Sequence, residues 1–263
     1  MTTNPTPLPT SAAQPQLRNG WETSAPSSDS VLLAVTRAMA ERAEWWATAM
    51  GGRSERDGDL VLTDTATDCL LLNQTLCTAP LQPAHARRAL EFYPPNRPFV
   101  ISSPNGGSDL AETGLKLMGH PPFMLHPAGP PPASPPPEVT LTEVTEPTQL
   151  ASWSKILADG FPLGPLSLPV AFLGGPTRLW LASWQGQPAA AAASHVAHGM
   201  IDVEAVATLP EHRSRGLGTA VTWAATRDQP TLHACLLASD SGRPVYERMG
   251  YIPIHRWTMW YRD

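Results

Sequence analysis

IDVEAVATLPEHRSRGLGTA, residues 201–220, decides the reading of this chain. Ile201, Val203, Ala205 and Ala207 alternate with Asp202, Glu204, Val206 and Thr208, the period of a strand. Pro210 ends it, because proline cannot donate to a ladder. Arg213-Ser-Arg-Gly216-Leu-Gly218-Thr219 follows, and a helical pattern runs on to Asp228. A strand, a basic glycine-bearing turn and a helix start make an anion site. First-turn N–H groups lack intrahelical acceptors, the helix dipole adds positive potential, and glycine lets a ligand approach the backbone. No Gly-Lys-Ser/Thr follows, so this is not a Walker loop, and the first glycine of the dinucleotide fingerprint is missing. Taken alone, the residues also fit a plain strand–turn–helix with two solvated arginines.

Arg213-Ser-Arg-Gly216-Leu-Gly218 resembles the acyl-CoA loop, Arg/Gln-x-x-Gly-x-Gly/Ala, of the GNAT N-acetyltransferase superfamily, and its lead-in Val206–His212 is similar too. A second segment, Ala238 to Tyr251 (ASDSGRPVYERMGY), resembles the family's Ser/Asn…Tyr-x-x-x-Gly-Phe/Tyr segment. The resemblance covers residues 138–263. It implies an α/β (α+β) fold with a central mixed sheet flanked by helices.

Composition bounds the alternatives. With 263 residues the chain suits two domains, and 42% hydrophobic residues supply a core. A net charge of −5 gives no nucleic-acid footprint. No apolar run reaches membrane-spanning length, and the first 19 residues lack a signal-peptide pattern, so a cytoplasmic protein is expected. Cys69, Cys77 and Cys235 have no metal spacing and read as reduced, buried thiols.

The 30 prolines cluster and mark boundaries. Residues 1–29 read as a disordered tail in which only Trp21 is a docking candidate. From Ser30 a helix runs to Gly51-Gly52. Asp59–Thr63, Asp68–Leu76, Phe99–Ser102 and Phe123–Leu125 read as strands, and Pro83–Phe92 and Asp109–Met118 as helices. This order over residues 30–126 is that of a degenerate GNAT-like domain without the glycine loop, which predicts a tandem arrangement. PAGPPPASPPP, residues 127–137, is the linker. The second domain, 138–263, opens with a strand at Glu138–Val144 and a helix at Pro147–Asp159. The apolar loop Gly160–Leu166 follows, which in the family borders the acceptor. Arg178–Trp184 and Pro188–His198 are strands, the latter with five consecutive alanines. His195 and His198 read as structural or exposed residues rather than catalysts.

The resemblance implies how acetyl-CoA is held. Arg213 and Arg215 would take the pyrophosphate with the backbone of Ser214, Gly216, Leu217, Gly218 and Thr219. Val206, Ala207 and Thr208 would pair with the pantetheine arm, and the Ala207 amide is an oxyanion donor. Ser239 and Asp240, at a strand end, lie near the donor, and Asp240 alternatively caps a helix. Tyr246 is the family's acid for the leaving thiolate. For the base, Glu204 comes first and Asp202 second, on one strand face with Val206 and Thr208; water serves in many relatives. No metal is required. The expected reaction is direct acetyl transfer to the amine of a small molecule or amino acid. A carrier-protein acyl donor and a non-catalytic CoA-sensing module are the alternatives. Oligomeric state is not readable.

Overall fold

The computed structural model describes residues 31–129, 135–161 and 166–263. The 1–29 tail with Trp21, the centre of the proline run and Pro162–Pro165 of the acceptor loop lie outside the described residues.

Helix α1 spans Val31–Ala49. Strands β1 (Arg53–Asp57), β2 (Leu60–Asp64) and β3 (Gln74–Cys77) follow, then α2 (Pro83–Phe92), β4 (Phe99–Ser103), β5 (Lys116–Gly119) and β6 (Pro122–His126). The second half holds β7 (Val139–Glu143), α3 (Pro147–Gly160), β8 (Thr177–Trp184), β9 (Gln187–Ala197) and β10 (Met200–Thr208). It continues with α4 (Leu217–Thr226), β11 (His233–Leu237), α5 (Arg243–Arg248), β12 (Ile252–Arg256) and β13 (Thr258–Arg262).

Among the described residues there are two mixed sheets, ordered β1-β2-β3-β4-β13-β5 and β12-β6-β11-β10-β9-β8-β7. They repeat one pattern. β3 and β4 pair in parallel around the α2 crossover, as β10 and β11 do around α4. All other strand pairs are antiparallel. β13 sits between β4 and β5, the place that β6 takes between β11 and β12. The chain is therefore two copies of one mixed-sheet unit that have exchanged their last strands.

This exchange carries hydrogen bonding across the boundaries expected at 126 and 138. β6 belongs by sequence to the first half and by hydrogen bonding to the second sheet, and β13 is the converse. The expected helix at Asp109–Met118 is a second correction. One 3-10 turn at Ala111–Thr113 closes on Gly114, and Lys116–Gly119 is a strand pairing with β13. Its partner lies at the far end of the chain, beyond the reach of local periodicity. The Asp68–Leu76 strand shortens to β3, because Leu70–Leu72 turn. The charged β1, RSERD, is exposed throughout and shows no apolar alternation.

Helix α1 lies against both sheets. Val35 and Met39 share a cluster with Val61 and Leu76 of the first sheet and with Ala197, Met200 and Cys235 of the second. One turn or two further on, Trp46 packs edge-on to Trp153 of α3 and to Phe172. Burial of each large apolar side chain is worth about 1.5–3 kcal/mol. The halves thus share a core rather than merely touching. The alanine run of β9 serves the same end. Ala190 and Ala192 join the cluster with Val221 of α4, and Ala191 and Ala193 that with Trp153 and Leu157 of α3. Methyl groups on both faces let two helices lie close to the strand, and Trp153 reaches over to donate to the Ala192 carbonyl at 3.0 Å.

Candidate active site

The strand that the first motif predicts is β10, and it has two irregularities. β11 pairs with it only from Met200 to Asp202. Beyond Asp202, β10 runs on to Thr208 with β9 as its ladder partner. Between Glu204 and Ala207 the register with β9 shifts by one residue, and Ala205 takes a φ of +55°. This is a β-bulge, which reverses the facing of all later residues. Asp202 and Glu204 do share a face. Val206 does not share it, as strict alternation required: Val206 packs with the α4-side cluster, and Ala207 with the α3-side cluster. A pleat read from sequence cannot reveal this, because the bulge sits on alanine rather than glycine.

At the strand's end the glycine loop leads into α4. Gly216 caps the helix in a left-handed conformation (φ +80°), with no side-chain cap hydrogen bond. A Cβ on Gly218 would lie 3.0 Å from the Thr208 hydroxyl oxygen, so the helix start fits closely against the strand only without one. The first turn therefore presents backbone N–H groups without a side chain of its own to occupy them. The two arginines differ. Arg213 reaches the carbonyls of Thr208 and Gly160, both at 3.3 Å, and so ties the end of β10 to the end of α3. Arg215 lies over the Trp184 ring at 5.4 Å. Ser239 accepts a hydrogen bond from the Gly242 N–H at 3.0 Å and anchors the start of α5, a role that Asp240 also fitted by sequence.

Where β10 and β11 part, a cavity of about 530 Å³ opens. Glu204, Val206, Ser239, Asp240 and Tyr246 line it. Tyr246 comes from α5, with its ring 5.8 Å from Tyr251. Burial, with the Glu204 charge nearby, pushes its phenol up to about 12, so the hydroxyl stays protonated and able to donate. Tyr251 spends its hydroxyl on Thr226 at 2.5 Å.

The carboxylates have a partner that no motif announced. Arg42 of α1 donates from Nε to Asp202 Oδ2 at 2.6 Å and from a terminal nitrogen to Glu204 Oε1 at 3.0 Å. The guanidinium is 3% exposed and Asp202 1%, whereas Glu204 keeps 27% of its side chain exposed. Burial holds both carboxyls above their ordinary range, and Arg42 offsets only part of that rise. The cluster thus separates the two candidate bases. Asp202 is enclosed and does not line the cavity; Glu204 does. On a helix pattern Arg42 reads as a solvated charge, and only its position among Met39, Ala43 and Trp46 hinted at burial.

His195 is fully buried, 2.9 Å from the Thr177 hydroxyl, which also accepts from Trp46 at 3.1 Å. Burial first, then the Arg42 charge, lowers it to about 4, so it is a neutral structural group, as expected. The three cysteines are unpaired and buried. Among the described residues no cluster has the makings of a metal site, and no helix is long and apolar enough to cross a membrane.

Fold and site together define a mixed-sheet unit with a parted central strand pair, a glycine-capped helix N-terminus and a phenol beside the opening. Residues 150–251 match the model of the acetyltransferase (GNAT) family. A GCN5-related N-acetyltransferase from Kribbella flavida aligns with a TM-score of 0.64 at 22% identity, covering 89% of this chain and 97% of that one. A second, from Sphaerobacter thermophilus, aligns at 0.55 and 13% identity over 87% and 92%. At such identities the likeness is one of fold, and it extends over both halves. No curated protein matches the sequence.

Proposed function

We propose that this protein is an acyl-CoA-dependent N-acyltransferase that moves acetyl from acetyl-CoA to the amine of a small molecule in a ternary complex. The observation that carries this reading is the parting of β10 from β11 beside Tyr246 and the glycine-capped start of α4. The freed edge of β10 at Val206, Ala207 and Thr208 suits the amides of a pantetheine arm. The α4 turn, with Ser214 to Thr219 and Arg215, suits a pyrophosphate. Arg213 acts there chiefly as a brace, through the two carbonyls it already holds.

In the transfer the amine nitrogen bonds to the thioester carbonyl carbon and the carbon–sulfur bond breaks. Tyr246 gives its proton to the departing sulfur, and the attacking nitrogen loses one to Glu204, directly or through water. Asp202 takes the role of holding Arg42, which in turn fixes the Glu204 carboxylate. A backbone N–H near the bulge polarises the carbonyl.

The test is release of CoA thiol from acetyl-CoA with a panel of primary amines. Turnover by the wild-type protein, lowered about 100-fold in Tyr246→Phe with acetyl-CoA affinity unchanged, supports the reading. Undiminished turnover in that variant removes the phenol from the mechanism. Absence of acetyl-CoA binding would bring forward a carrier-protein donor.

A further inference from the structure

The cavity beside Glu204 continues beyond what an acyl group and its thiol require. Part of its wall comes from α1 and the first sheet: Met39 of α1, Leu76 of β3, Val100 of β4 and Met259 of β13. Met118 and Phe161 also line it, and each is 37% exposed, an unusual degree for large apolar side chains facing a hollow. These residues would be covered by an apolar body of a ligand.

The charges on this lining are lopsided. Arg42 is the one Lys or Arg side chain among the described lining residues. Its charge is already taken by Asp202 and Glu204, and its third contact is the Gln74 side-chain oxygen at 3.5 Å, so the cluster of one cation and two carboxylates carries a formal surplus of one negative charge. Asp240 adds to it. His120 is bound to the Thr258 hydroxyl at 3.2 Å. A buried unbalanced carboxylate is satisfied by an incoming cation, and a second anion brought beside it has nothing to pair with.

We propose that the acceptor is a monoamine with an apolar body. Its ammonium meets Glu204, its body lies against Met39, Leu76, Val100 and Met259, and acceptors bearing a carboxylate, free α-amino acids included, are rejected. The acceptor role rests on the acyl-transfer reading above, whereas the binding preference does not depend on it. Specificity would then be set by the half that lacks the glycine loop, and by Arg42 as a positioning residue that reserves Glu204 for the amine.

The experiment is calorimetric titration of the full chain, alone and with saturating CoA, using 2-phenylethylamine, phenylalanine and 3-phenylpropionate as probes. The amine is expected to bind at least about tenfold tighter than the amino acid, with no binding of the acid. Glu204→Gln should weaken the amine about tenfold, while Met118→Lys, at an exposed lining position, should narrow the gap by strengthening phenylalanine. Equal or tighter binding of phenylalanine overturns the proposal, as does failure of the amine to bind in both settings. Acetyl-CoA is titrated separately. If it fails to bind while amine selectivity holds, acetyl-CoA falls as the donor and the pocket assignment stands.

Discussion

The two halves of this molecule carry the same strand–helix–strand unit and finish it differently. In the first, β3 passes to α2 through Thr78–Gln82, and the helix N-terminus seals itself. Pro83 removes one donor, the Gln82 side chain accepts from the His85 backbone, and the His85 ring accepts from the Gln82 N–H at 3.2 Å. In the second, β10 passes to α4 through a glycine cap with no such partner. β3 also ends at Cys77, one residue past its last pairing with β4, whereas β10 runs six residues beyond its last pairing with β11. On the proposed reading, a helix start becomes a ligand site when its own sequence declines to cap it and its strand outruns its neighbour. The first half meets neither condition and supplies a wall instead.

The comparison can be broken most severely at the exchanged strands. Truncation after Arg256 removes β13, including the buried Trp260, and leaves β4 and β5 without their shared partner. We expect the wild type to unfold in one cooperative transition and the truncated chain to lose it. Two separate wild-type transitions, one per sheet, would contradict the shared core.

Next in size is Arg42→Met. It leaves the buried Asp202 and the half-buried Glu204 without their cation and should cost about 3–5 kcal/mol by chemical denaturation at neutral pH. The sign of the pH dependence follows from the raised carboxyls. Groups that bind protons more tightly when folded favour the fold below their unfolded titration range, and that help is lost as pH rises. The penalty should therefore shrink as pH falls from neutrality toward the ordinary carboxylate range. Glu204→Gln, which leaves Arg42 and Asp202 as a balanced pair, should cost the fold little at neutral pH while lowering turnover.

Tyr246→Phe comes third, about 100-fold in turnover or about 2.7 kcal/mol, with unchanged affinity for acetyl-CoA. The smallest effect is that of Gln82→Ala, about 1 kcal/mol of stability from the lost cap, with acetyl-CoA affinity unaltered. Acetyl-CoA binding that responds to Gln82 would mean the first half holds ligand after all.

Much of this was legible in the sequence, for physical reasons that differ by element. The glycine loop and Tyr246 stand out in the sequence because the chemistry proposed for them needs particular residues at fixed spacing. α2 was read to its termini because Pro83 fixes a helix start. β1 escaped because its charges are paired rather than buried. Arg56 is bound to Glu44 at 2.6 Å and Arg88 to Asp57 at 2.6 Å, so no apolar face betrays the strand. β5 escaped because its partner is β13. Arg42 escaped because it and Asp202 are 160 residues apart, and its place on the apolar side of α1 says nothing of which partner it meets. The bulge at Ala205 escaped because alanine gives no warning of a left-handed φ.

The most direct test of the contrast between the halves is the stoichiometry of acetyl-CoA binding by calorimetry. The account predicts one molecule per chain, lost when Gly218→Val crowds the start of α4 against Thr208. Two molecules per chain, or one that survives that substitution, would contradict it.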